Sequence, residues 1–164
     1  MDTKKGFTLI ELLVVIALMS IMAGVILTAT SASRSRGKDT AVKTNLTTVR
    51  TSMDVYYINN GNSYIKPGGF GTELNPPQAC PTTKNTDMAL TSDPTFSALR
   101  VAVDKGNQSA SLTPRCYFTA NSWSVVVALN TDPTKSWCVD SKPSGKLEPF
   151  TPANSLDPVT YLCK

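Results

Sequence analysis

From Phe7 to Ser33 the chain carries a single ionisable side chain, Glu11, inside an almost unbroken apolar run that reaches Leu27. No other stretch restricts the fold as strongly. A helix needs roughly 20 apolar residues to cross a bilayer. Leu12 to Leu27 falls a little short of that, and Phe7 to Leu9 with the tolerant Thr28 to Ala32 make up the length. In lipid only a helix satisfies its own backbone, so the run reads as one spanning helix. A carboxylate in such a span is costly at the centre and less so near the end. Glu11 sits near the end and still calls for a partner. A plainer reading is a secretory signal cut after the small residues Thr30-Ser31-Ala32.

The residues in front of the run argue otherwise. Lys4, Lys5, Gly6 and Phe7 precede it, and Glu11 lies just inside. A short basic leader, Gly, Phe and then a glutamate in an apolar helix resembles the N-terminal signature of the type IV pilin superfamily. The resemblance implies that a prepilin peptidase cuts the Gly6–Phe7 bond on the cytoplasmic side. It also implies that the new Phe7 amine is methylated and that the apolar helix stays with the mature chain. Glycine suits a cleavage site because it lets an enzyme approach the backbone closely. Assembly then supplies a partner for Glu11: the Phe7 amine of a neighbouring subunit, each charge neutralising the other as subunits stack.

Charge alone leaves the orientation open. Lys4 and Lys5 flank one end, and Arg34, Arg36 and Lys38, offset by Asp39, flank the other. The resemblance implies a cytoplasmic leader and a large domain outside. The chain departs from the family at one point. Many members carry a proline about two-thirds through the apolar segment, whereas no proline precedes Pro67 here. Gly24 and the β-branched Val25, Ile26 and Thr28 are the only weak spots, glycine costing a helix about 1 kcal/mol relative to alanine.

Helical periodicity continues past the membrane segment in a different character. Val42, Leu46, Val49, Met53 and Tyr56 follow a 4-3-4-3 spacing and share one stripe, with Lys38, Lys43, Asn45 and Arg50 largely off it. Asn59-Asn60-Gly61-Asn62 is a strong stop. One helix from Phe7 to Ile58 is expected, apolar all round in its first half and amphipathic in its second.

The remainder suits one small domain. Asn59 to Asp93 is rich in Gly, Pro, Asn and Thr and reads as a long loop with little regular structure. Asp93-Pro94 reads as an N-cap followed by a first-turn proline, opening a short helix through Phe96, Leu99 and Val103 that ends at Lys105-Gly106-Asn107. Three strands follow: Arg115 to Thr119, Trp123 to Leu129, and Trp137 to Ser141. Pro143 to Pro158 reads as a proline-rich tail over the surface. Three such strands need a helix on their apolar face, and the Val42 to Tyr56 stripe is the natural cover. The fold class expected is α+β: a long N-terminal helix, membrane half plus amphipathic half, packed on a small antiparallel sheet, as the pilin resemblance also implies. The domain division is residues 1–6 as leader, 7–33 as transmembrane and assembly helix, 34–58 as its amphipathic continuation, and 59–164 as the globular domain.

Cys80, Cys116, Cys138 and Cys163 all lie beyond the apolar segment. Their even number and loop-rich setting favour disulfides in an oxidising compartment. Of three pairings, Cys80–Cys116 with Cys138–Cys163 is expected, because a meander would hold Cys116 and Cys138 about 9.5 Å apart on nonadjacent strands, beyond the roughly 7 Å reach of a disulfide.

No histidine is present, which removes the commonest general base and metal ligand. Gly68-Gly69-Phe70-Gly71 lacks the lysine and helix of a phosphate loop. No catalytic residue, cofactor or metal is expected. Asp132, Asp140, Glu148 and Asp157 could offer oxygen ligands to calcium, as in some pseudopilins, and read more simply as solvated surface. The net charge of +4 suggests nucleic acid as a partner, with nothing else in the sequence to support it. Asn45-Leu46-Thr47 and Asn107-Gln108-Ser109 match a short glycosylation pattern that recurs by chance.

The reading is thus a non-enzymatic structural subunit of a type IV pilus-like filament. Its partners would be further copies of itself, prepilin peptidase, the assembly machinery and the membrane. It would begin in the cytoplasmic membrane and end in an extracellular filament. Alternatives are a type II secretion pseudopilin, a competence pilin for DNA uptake, or a membrane-anchored extracellular binding domain that never polymerises.

Overall fold

A computed structural model describes residues 7–69, 71–106, 113–142, 145–149 and 156–164. The chain forms two compact units, Met1–Ser35 and Arg36–Lys164. The first helix, α1, runs Leu9–Asn59 and contributes to both.

In the first unit α1 is apolar and exposed on all sides, with Ile10, Leu13, Ile16, Met19, Ile21 and Ile26 each more than half accessible. It is long and apolar enough to cross a membrane. Two of its hydroxyls are satisfied within the helix. Ser20 Oγ donates to Ile16 O at 2.7 Å and Thr30 Oγ1 to Ile26 O at 2.6 Å, so neither hydroxyl needs water. The helix continues without a break through Gly24.

In the second unit α1 turns amphipathic. Val42, Leu46, Val49 and Met53 are fully buried and Tyr56 partly so, as the 4-3-4-3 spacing requires. They pack on one face of a five-stranded antiparallel sheet ordered β1-β2-β3-β4-β5. The strands are β1 Leu74–Ala79, β2 Arg115–Phe118, β3 Trp123–Ala128, β4 Lys135–Asp140 and β5 Lys146–Pro149. Trp123, Val125 and Val127 of β3 face the helix, together with Cys116, Phe118 and Val139. Val126, Ala128 and Cys138 face the other way, where Leu156 and Cys163 of the tail cover them. Alternation along β3 thus feeds two cores, and every residue of that strand is buried.

Two stretches differ from the sequence expectation. The region from Asn59 to Asp93 contains β1 and a 3-10 turn, Ala89–Thr91. Pro76 and Pro77 lack N–H donors, which hides β1 from a strand pattern. The strand survives because it lies at the sheet edge with an irregular register between Leu74 and Gln78. The tail contains β5, which pairs with β4 from Lys135↔Pro149 to Cys138↔Lys146. The sheet therefore has five strands rather than three.

The second helix, α2, runs Thr95–Lys105, and Pro94 rather than Asp93 takes the cap position. The Asp93 carboxylate instead accepts from Lys84 Nζ and Ser97 Oγ. Phe96 and Leu99 are buried as their spacing predicts. Gly106 ends the helix, and the Val127 side chain sits so close that a Cβ there has no room. Cys80 is bonded to Cys116 and Cys138 to Cys163, with Cα separations of 4.8 and 5.8 Å. Strand β3 stands between Cys116 and Cys138, pairing Val125 with the first and Val126 with the second.

Candidate functional site

The start of α1 gathers the residues singled out for processing and assembly. Gly6, with Lys4, Lys5 and the rest of the leader, lies outside the described residues. Phe7 is 86% exposed. Thr8 then opens the helix. Its backbone N–H and its Oγ1 both donate to Glu11 Oε2 at 2.8 Å, and Glu11 N–H donates back to Thr8 Oγ1 at 3.4 Å. This is a reciprocal capping box of the form Thr-x-x-Glu, which satisfies two of the donors a helix N-terminus leaves orphaned. The pattern Thr8-Leu9-Ile10-Glu11 was open to view in the sequence. Reading Glu11 only as a costly membrane charge hides it.

The carboxylate is thus held at the first turn of α1, four residues from Phe7, with both Thr8 donors on the same oxygen, Oε2. Glu11 is exposed.

A second carboxylate, Asp39, fastens the amphipathic half of α1. It continues the buried stripe one step before Val42 and is itself buried. Asn130 N–H donates to its Oδ1 at 2.6 Å and Asn130 Nδ2 at 3.1 Å; Thr131 N–H donates to Oδ2 at 3.0 Å, joined by Thr131 Oγ1. Asn130 Nδ2 also donates to Lys105 O at 2.8 Å, so α1, the β3–β4 turn and the end of α2 meet at one side chain. Burial pushes the Asp39 carboxyl up, but the donors from Thr131 and Asn130 outweigh it and hold the group below the usual carboxylate range. From the sequence, Asp39 counts only as a charge offsetting Arg34, Arg36 and Lys38. The sign missed was its spacing of three before Val42.

The acidic residues considered for calcium do not converge. Asp132 accepts from Thr134 and pairs with Lys135. Asp140 is buried and accepts from Lys142 N–H and Cys163 N–H. Asp157 accepts from Val159 and Thr160. The Glu148 side chain lies outside the described residues, and among those described no three acidic, Cys or His groups cluster as a metal site. Asn45 Nδ2 donates to Ala41 O within the helix at 2.8 Å, and Asn107 lies outside the described residues.

Two comparisons with known proteins give matches. The family profile described as the prokaryotic N-terminal methylation motif matches residues 1–27. The type IV wide pilus major component PilA4 of Thermus thermophilus is 45% identical over 64 residues, 39% of this chain and 48% of the relative. The match thus spans about half the length of that protein. No solved structure matches the chain at a comparable level. The chain is thus similar to type IV pilus subunits, through the methylation motif over residues 1–27 and through PilA4 over 39% of its length.

Proposed function

We propose that the chain is the membrane-anchored precursor of a filament subunit, cut at Gly6–Phe7, methylated at Phe7, and polymerised through α1. The observation that carries this reading is the N-terminal motif joined to a helix whose apolar half is exposed on every side. Such a surface is stable only in lipid or against copies of itself. Residues 1–6 would be the leader, 7–33 the membrane and assembly helix, 34–58 its amphipathic continuation, and 59–164 the domain displayed outside. In the filament Glu11 would meet the Phe7 amine of an adjacent subunit. The partners are then prepilin peptidase, the assembly machinery and further copies of the chain. Shearing cells and probing the released material by immunoblot and microscopy tests the reading. Recovery of the chain in fibres supports it, and a chain confined to the membrane fraction favours a non-polymerising anchored domain.

A further inference from the structure

The globular domain carries a cleft of about 400 Å³. Pro76 and Pro77 of β1 form one side, Asp157, Pro158 and Tyr161 of the tail the other, and Arg115 of β2 also lines it. Buried Leu156 extends the apolar surface. None of these residues belongs to α1, the element to which the proposed function assigns assembly.

Three features distinguish the cleft from an ordinary crease. Tyr161 has φ 54°, in the left-handed region that favours glycine and is rare for a bulky side chain. Its surroundings hold it there. Ser124 Oγ donates to Tyr161 O at 2.6 Å, Tyr161 N–H donates to Asp157 O at 2.9 Å, and its ring lies 5.3 Å from that of Tyr117. Strain over-determined in this way clusters at ligand clamps and other functional sites. Next, the Arg115 guanidinium has no hydrogen-bond or ion-pair partner among the described residues. Finally, both sides are covalently fastened. Cys80–Cys116 ties the end of β1 beside Arg115, and Cys138–Cys163 ties the tail two residues after Tyr161. A cleft built in advance loses less freedom when it binds.

The lining chemistry selects the occupant. Arg115 can only donate, and an ionised Asp157 can only accept. The Asp157 carboxyl is held below the usual range by the backbone N–H groups of Thr160 and Val159, so it stays charged. A purely apolar ligand would leave the Arg115 charge unmatched. A polyanion would meet Asp157 as a like charge. A pyranose ring offers hydroxyls that donate and accept together with C–H faces that lie against a phenol ring and prolines, and a single sugar unit suits the volume. We propose that the cleft is a saccharide-binding subsite for one pyranose unit, with Tyr161 as its platform and Arg115 and Asp157 as its hydroxyl partners.

The test uses the full chain in detergent micelles and saturation-transfer NMR. The probes are methyl glucoside, galactoside, mannoside and N-acetylglucosaminide, with a hexaproline peptide and inorganic phosphate as controls. At least one pyranoside should bind saturably. Arg115→Gln and Tyr161→Asn should each weaken it by about tenfold or more, the loss one charge-assisted hydrogen bond or one stacking platform brings. Asparagine accepts a positive φ, and unchanged circular dichroism identifies variants that remain folded. Should Tyr161→Asn unfold, Arg115→Gln decides alone. Binding by no pyranoside, binding indifferent to the folded variants, or binding only by the peptide or phosphate would each overturn the proposal. None of these results touches filament formation, which is read separately.

Discussion

Glutamine at position 11 would keep the side-chain oxygen that closes the box with Thr8 yet carry no charge, and Thr8→Ala would do the reverse. The pair therefore separates two roles. Thr8→Ala should fray the start of α1 by about 0.5–2 kcal/mol and leave filaments forming. Glu11→Gln should leave Gly6 cleavage and membrane insertion intact and cut filament yield sharply, because the incoming Phe7 amine is buried without its partner, a loss of roughly 3–5 kcal/mol. Filament yield against membrane-pool level measures both, and wild-type yield from Glu11→Gln removes the charge from the assembly contact. Asp39 gives a pH signature. Its folded pKa lies below the unfolded value, so its stabilisation is fully present above the unfolded pKa of about 3.9 and lost as pH falls through the lower folded value. Urea midpoints should drop on acidification more steeply in wild type than in Asp39→Asn. At neutral pH that variant should cost about 1.5–3 kcal/mol, the worth of hydrogen bonds to a charged group.

At the level of elements, burial decides which side chains of α1 matter. Leu46 is fully buried against the sheet, and Val55, nine residues on, is 54% exposed. Leu46→Ala should cost about 2–5 kcal/mol, and Val55→Ala should stay within about 0.5 kcal/mol, both read from thermal or urea unfolding of the full chain. A comparable cost at both would mean the stripe is not the face that packs. This stripe was legible because a 3.6-residue period survives any loop around it, and β3 because its two-residue period runs unbroken from Trp123 to Ala128. β1 was not, since Pro76 and Pro77 erase the local signal and only its neighbour β2 supplies the pairing. β5 is short and lies among prolines, and it exists because β4 offers it an edge. The capping box and the Asp39 latch were missed for one reason. Each charge was weighed for the membrane or for a neighbouring subunit, when a hydrogen-bonded neighbour within the chain, close in sequence for Glu11 and far off for Asp39, was there to meet it.

Across the whole molecule, two disulfides fasten the sheet and one long helix contributes to both units. Cys138–Cys163 keeps the tail over Val126 and Ala128, and Cys80–Cys116 holds the proline-interrupted edge strand to the sheet. Mass mapping without reduction should find no free thiol, and reduction should cost about 2–5 kcal/mol per bridge. Four alkylatable cysteines in the native protein would contradict this. Assembly through α1 requires that the apolar half of the helix remain on the mature chain with Phe7 at its head. The direct measurement is the N-terminal residue of the chain recovered from sheared filaments, read by mass spectrometry of its terminal peptide. The expected terminus is an N-methylated Phe7 followed by Thr8. A chain that begins after Ala32, or one that still carries Met1 to Gly6 in the fibre, would contradict it.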